Sequence, residues 1–214
     1  MIQTDSGKTA RIGVFGSAFD PINNNHLYLS NKAITRKRLD GVIFCPSSRH
    51  RSDKYITTSD EDRLNMIRLA IEGNYKFSID DDELKASPGE YHTFYTMRRL
   101  KNKHKDDTLF FIMGSDILRD LPDWVYGREL IEENRFIVFG RRDYDPLQIM
   151  EKSPLLRNYD DGRFELIGDD TMAEGKSSYI REEFLNGGDP RYLLPEPCYR
   201  YIIEHGLYRR RDGK

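Results

Sequence analysis

Short apolar runs recurring between helix-period segments constrain this chain more than any other feature. Residues 11–16 (RIGVFG), 41–45 (GVIFC), 108–114 (TLFFIMG) and 136–140 (FIVFG) all have strand length, and glycine or proline closes each one. A run that is apolar at every position, as in TLFFIMG, fits a strand buried on both faces of a parallel sheet. Residues 76–79 and 164–168 read as two further strands. Helices are expected at 26–39, 59–72, 91–102, 128–134, 177–185 and 195–205. Leu27, Leu29, Ala33, Ile34 and Leu39 are the inward positions of the first helix. Leu64, Ile67, Leu69, Ala70 and Ile71 serve the second, where Ser59 precedes three acidic residues as an N-cap. Such alternation predicts an α/β class, a doubly wound parallel sheet with helices on both faces. A single domain is expected over residues 11–208, after a disordered lead-in at 1–10 and before a basic tail at 209–214. Irregular loops are expected near 46–58 and 142–163.

Charge and cysteine usage exclude some functions. The chain carries 34 Lys and Arg against 36 Asp and Glu, a near-balance that argues against wholesale coating of nucleic acid and leaves room for a local basic pocket. The basic runs at 98–105 (RRLKNKHK) and 209–211 (RRR) read as a helix face and a tail. Cys45 and Cys198 lie far apart without metal-ligand spacing, which suits unpaired thiols in the cytoplasm. No run approaches the ~20 apolar residues that span a bilayer, so no membrane partner is expected.

In sheets of this kind ligands bind beyond the carboxyl ends of the strands. After the first strand come Gly16 and Ser17, small enough for a phosphate to approach the backbone, and then a helix start at His26. The same stretch also reads as a plain turn, bent at Asp20-Pro21 and capped by His26. Gly114-Ser115-Asp116 follows the central run; Asp116 either accepts from ribose hydroxyls or caps a helix. Trp124, the only tryptophan, either stacks on a heteroaromatic base or packs internally. Ser177, Ser178 and Arg181 either form an anion site or amount to a cap and a solvent ion pair with Glu182 or Glu183.

Taken in order, these segments resemble the nicotinate/nicotinamide mononucleotide adenylyltransferases, in the bacterial nicotinate-nucleotide form of the HxGH nucleotidyltransferase superfamily. The family opens with a strand and G-G-T/S-F-D-P-x-H-x-G-H, where this chain has FGSAFDPINNNH. LPDW resembles its LPxW segment, and SSYIR its SSTxIR motif. RLNMIRLAI, NRFIVFGR and the closing PRYLLPEPCYRYIIEHGLY also fit, so the similarity spans residues 11–208.

The resemblance implies a Rossmann-like fold and transfer of AMP from ATP to nicotinate mononucleotide, with nicotinamide mononucleotide as a second acceptor. A dinucleotide of NAD biosynthesis and pyrophosphate would be the products. It implies Mg²⁺ carried on the ATP phosphates, with no metal ligand from the protein. His26, Asn23 and Arg181 would be the catalytic groups. Gly16, Ser17, Phe19, Lys54, Gly114, Asp116, Ser177 and Ser178 would hold ATP, and Thr93 and Trp124 would face the pyridine ring. Four positions depart from the pattern: Asn23 replaces the first motif histidine, Asn25 the glycine, Lys176 a hydroxyl, and Val125 a tyrosine beside Trp124. A different phosphate acceptor, or a nucleotide-binding sensor with weakened turnover, stays open on these departures. So does self-association.

Overall fold

The computed structural model describes residues 9–51, 53–159, 161–168 and 175–209. Most of the expected lead-in (1–8) and basic tail (210–214) lies outside the described residues; Ala10, at the end of the expected lead-in, is buried in the core.

Six strands form one parallel sheet: β1 (Arg11–Ser17), β2 (Gly41–Pro46), β3 (Phe77–Ile79), β4 (Thr108–Gly114), β5 (Arg135–Phe139) and β6 (Phe164–Ile167). Their order across the sheet is β3-β2-β1-β4-β5-β6, the Rossmann order. The direction of winding reverses between β1 and β4, which pair from Arg11 opposite Thr108 to Phe15 opposite Ile112.

Helices cover both faces, as expected. α1 (Asn24–Lys37), α2 (Asp60–Ile71), α7 (Ser177–Leu185) and α8 (Glu196–Glu204) pack residues such as Ile34, Ile67, Ile180 and Ile202 against Val42, Phe44, Phe110 and Ile112. On the other face, α3 (Thr93–Lys103), α4 (Ser115–Asp120) and α5 (Gly127–Glu133) bring Met97, Leu118 and Leu130 against Val14, Phe111 and Met113. Consecutive residues of TLFFIMG thus enter opposite cores, which is why the run is apolar throughout.

Two helices lie where none is expected. α6 (Pro146–Lys152) lies inside the stretch read as loop, and α4 follows β4 without a break. α1 begins at Asn24 rather than His26, and Leu27 and Leu29 are only half-buried. In α2 the most deeply buried side chains include Arg63 and Met66, which the apolar stripe does not contain. The basic run on α3 is an outer helix face: Arg98 pairs with Glu133 at 2.6 Å, and Lys103 pairs with Asp80 and Asp82. Cys45 and Cys198 are buried free thiols. Among the described residues no helix is long and apolar enough to cross a membrane.

Candidate active site

The turn from β1 into α1 lies at the winding reversal and is held rigidly from behind. Phe19 sits at a left-handed φ of 47°, a conformation costly for a bulky residue. Its fully buried ring, wedged against Phe15 and Phe44, keeps it there. Asp20, also fully buried, accepts hydrogen bonds from the Thr57 amide (2.6 Å), the Thr57 and Thr58 hydroxyls (2.9 and 2.7 Å) and the Tyr208 hydroxyl (2.7 Å). Burial pushes its pKa up, but the bonds from Tyr208, Thr57 and Thr58 outweigh it and hold the carboxyl below its ordinary value. Arg63 donates to the Ala18 carbonyl at 2.7 Å, and Arg181 to the Asp20 carbonyl at 2.6 Å.

Asn23, expected as a catalytic donor, has its side chain engaged within the protein. Asn23 is the N-cap of α1, and its side-chain oxygen accepts from the His26 amide at 3.1 Å. Its side-chain nitrogen donates to the Gly175 carbonyl (2.8 Å) and the Ser177 hydroxyl (3.3 Å). Both amide protons therefore brace α1 against α7, and none is left for a phosphate. Ser177 is engaged too: its hydroxyl donates to the Pro21 carbonyl at 2.8 Å, while Lys176 takes the cap position of α7. That leaves Ser178, which is exposed, and the inward-turned Arg181 as donors from this helix start.

His26 completes a capping box on the first turn of α1. Its Nδ1 accepts the Asn23 backbone N–H at 3.1 Å, so the neutral ring carries its proton on Nε2. The ring is set against the edges of Phe15 and Phe19, at 5.7 and 5.0 Å between centroids. Burial, with the charge of Arg141 added, pulls its pKa down to about 4. At neutral pH it offers one uncharged donor beside the positive end of a helix.

Across the end of β4, Asp116 pairs with Arg141 at 2.8 Å. A side chain at Gly114 would place its Cβ 2.4 Å from the Asp116 carboxylate and 2.6 Å from the Arg141 Nε, so this pair needs glycine there. The Ser115 hydroxyl accepts the Arg141 amide at 2.9 Å, tying the end of β5 to the start of α4.

A cleft opens beside Gly16 and is walled by Arg51, Lys54, Glu83, Thr93 and Trp124. Four of the residues expected on substrate, namely Gly16, Lys54, Thr93 and Trp124, meet here. Trp124 is partly buried and packs against the core, and the Arg51 guanidinium lies 5.9 Å from the centre of its ring. Burial lowers the pKa of Lys54, with the charge of Arg51 adding to it and those of Asp53, Glu83 and Asp116 opposing it.

Three participants escaped the sequence reading. Arg141 stands directly after a strand, where the search for strand-end residues extends naturally. Arg51 sits in a loop with Arg49, His50 and Lys54, and nothing in that run says which cation turns inward. Glu83 has no sequence signal at all; it is buried, bonded to the Ser48 amide (3.2 Å) and the Thr96 hydroxyl (2.8 Å), and burial raises its pKa.

The sequence matches the cytidylyltransferase-like family over residues 14–183. A Clostridium tetani protein named "Probable nicotinate-nucleotide adenylyltransferase" is 34% identical over 199 residues, covering 92% of this chain and 98% of the relative. A Geobacillus thermodenitrificans protein of the same name is 35% identical over 205 residues, covering 95% and 88%. In fold, the chain is similar to Plasmodium falciparum nicotinic acid mononucleotide adenylyltransferase complexed with NaAD, with a TM-score of 0.74. That likeness covers 93% of this chain and 97% of the other, at 24% identity.

Proposed function

Because the chain belongs to the cytidylyltransferase-like family, among the nicotinate-nucleotide adenylyltransferases, we propose that it transfers AMP from ATP to nicotinate mononucleotide. The observation that carries this reading is a meeting of two half-sites at the β1/β4 reversal. One is a cation-lined cleft with an indole wall; the other is a helix start bearing a neutral imidazole donor. The first suits a pyridine ring with anionic substituents, and the second suits the ATP phosphates.

In this reading an acceptor phosphate oxygen attacks the α-phosphorus of ATP in line. A P–O bond forms there as the bond to the β-phosphate bridge breaks, and pyrophosphate leaves. A phosphate monoester is largely ionised near pH 7, with a second pKa of about 6, so no general base is required. Rate comes from alignment and from donors aimed at the developing charge. His26 Nε2–H is such a donor. Gly16 and Ser17 let the phosphates approach the backbone, and Phe19 shapes the turn that presents them. Arg181, whose Nη1 already holds the Asp20 carbonyl, and Ser178 face the departing pyrophosphate. Asp116, on exchanging Arg141 for ribose hydroxyls, positions the nucleoside, with Gly114 leaving room. Lys54 bridges acceptor and ATP, while Thr93 and Trp124 seat the pyridine.

Mg²⁺ belongs to this scheme as the counter-ion of ATP, screening phosphate charge. It would be carried by the phosphates and water rather than by a dedicated protein site.

ATP labelled at the α-phosphate tests the proposal. With nicotinate mononucleotide the label should pass into a dinucleotide, leaving the pyrophosphate unlabelled; label appearing in free AMP alone would refute it. The engaged amide of Asn23 favours a second reading, a sensor that binds ATP with little turnover. Tight ATP binding without any labelled dinucleotide would support that instead.

A further inference from the structure

Arg51 is a cation held where an acceptor ring would lie, and its surroundings restrict what it can pair with. Its side chain is only 9% exposed. Nε and Nη2 donate to the two oxygens of Asp53 at 2.9 and 2.8 Å, and Nη1 donates to the Thr93 hydroxyl at 3.2 Å. Among the described residues these contacts use three of the five guanidinium N–H bonds. Asp53 is half-exposed at 51%, so its compensation of the Arg51 charge is partly screened by solvent. Glu83 lies 3.8 Å from Nη1 and adds a second opposite charge, while one of its oxygens accepts from the Ser48 amide and the other from the Thr96 hydroxyl.

We infer that Arg51 is the residue that reads the acid group on the acceptor's pyridine ring, and so sets the preference for nicotinate over nicotinamide mononucleotide. The inference rests on the adenylyltransferase reading above. Its chemistry is a matter of donors and acceptors. A guanidinium carries donors only, and a carboxylate offers two acceptor oxygens in the matching fork. A carboxamide at the same place turns an NH₂ group toward the guanidinium in one orientation, and in the other presents a single neutral acceptor. A buried site that leaves a donor unpaired discriminates strongly against the wrong ligand. Arg51 touches the two residues assigned to the ring, donating to Thr93 and lying over Trp124, so its position is tied to that of the pyridine.

The test compares kcat/KM for the two mononucleotides in the unmodified protein and in Arg51→Gln, at saturating ATP. Unmodified protein should prefer the acid. Arg51→Gln should cut the acid-to-amide ratio about tenfold or more, the scale of a lost charge-assisted bond, with the KM for ATP unchanged. Arg51→Lys, which keeps the charge and loses the fork, should give an intermediate ratio and serves if the glutamine variant is unstable. An equal fall for both acceptors would place Arg51 on their shared phosphate and overturn the inference. A preserved ratio, or an unmodified protein preferring the amide, would also overturn it. Absence of turnover with either acceptor in the unmodified protein would instead bring down the underlying reading, and this inference with it.

Discussion

At the scale of the residue, His26 acts through one hydrogen atom rather than a charge. The Asn23 amide fixes Nδ1 as acceptor, and burial with Arg141 keeps the ring neutral. Removing one aimed donor typically costs ~10²-fold in kcat, so His26→Ala should lose turnover on that order while the acceptor KM moves little. Unchanged kcat in the folded variant would take His26 out of the mechanism. The ring's own titration gives an independent check. Its pKa falls from an ordinary 6.5 to about 4 on folding, so on acidification the unfolded chain takes up the proton first. The stability linked to it is whole above about pH 6.5 and drains away toward pH 4. An NMR titration should find the ring neutral at pH 6, and a midpoint near 6.5 would contradict this. Trp124→Ala removes a stacking face worth ~1–3 kcal/mol and should raise the acceptor KM by roughly 5- to 150-fold; equal effects on the KM for ATP would mean packing instead. In the sequence a strand end marks His26 and the LPDW segment marks Trp124, whereas Lys54 and Thr93 rest on the family resemblance alone. The engagement of Asn23 is not legible in the sequence: an amide in a histidine's place can satisfy cap and neighbour at once, and here it does.

At the scale of the element, the phosphate-facing turn depends on segments remote in sequence. Asp20 gathers the 57–58 loop and the carboxyl-terminal Tyr208, while Arg63 of α2 and Arg181 of α7 hold the flanking carbonyls. Tyr208→Phe keeps the ring, which stacks on Phe184 at 6.2 Å, and deletes only the bond to Asp20. A hydrogen bond to a charged group contributes ~1.5–3 kcal/mol, so urea unfolding should show a loss of that order together with a lower kcat. Unaltered stability and turnover would mean the latch is idle. The elements expected from apolar periodicity are present, because strands buried on both faces and the longer helices declare themselves through it. α6 does not, since it has seven residues and only Ile149 and Met150 pack partly against the core, too short a pattern to read. α4 has six residues, too few to show a period.

At the scale of the whole molecule, the order β3-β2-β1-β4-β5-β6 turns a list of motifs into a site. Reversal of winding between β1 and β4 leaves their carboxyl ends uncovered. There the loop after β2, the start of α3 and Trp124 converge on Gly16 of β1 and Phe111 of β4. The fold class follows from the alternation of elements, whereas the partners across the cleft follow from tertiary placement alone: Arg51 on Trp124, and Arg141 on Asp116. Steady-state release of pyrophosphate by the unmodified protein, given ATP, Mg²⁺ and nicotinate mononucleotide, tests the central claim most directly. The account predicts pyrophosphate in equal amount to a newly formed dinucleotide, dependent on the acceptor. Release of pyrophosphate without the acceptor, or none with it from protein that binds ATP, would contradict it.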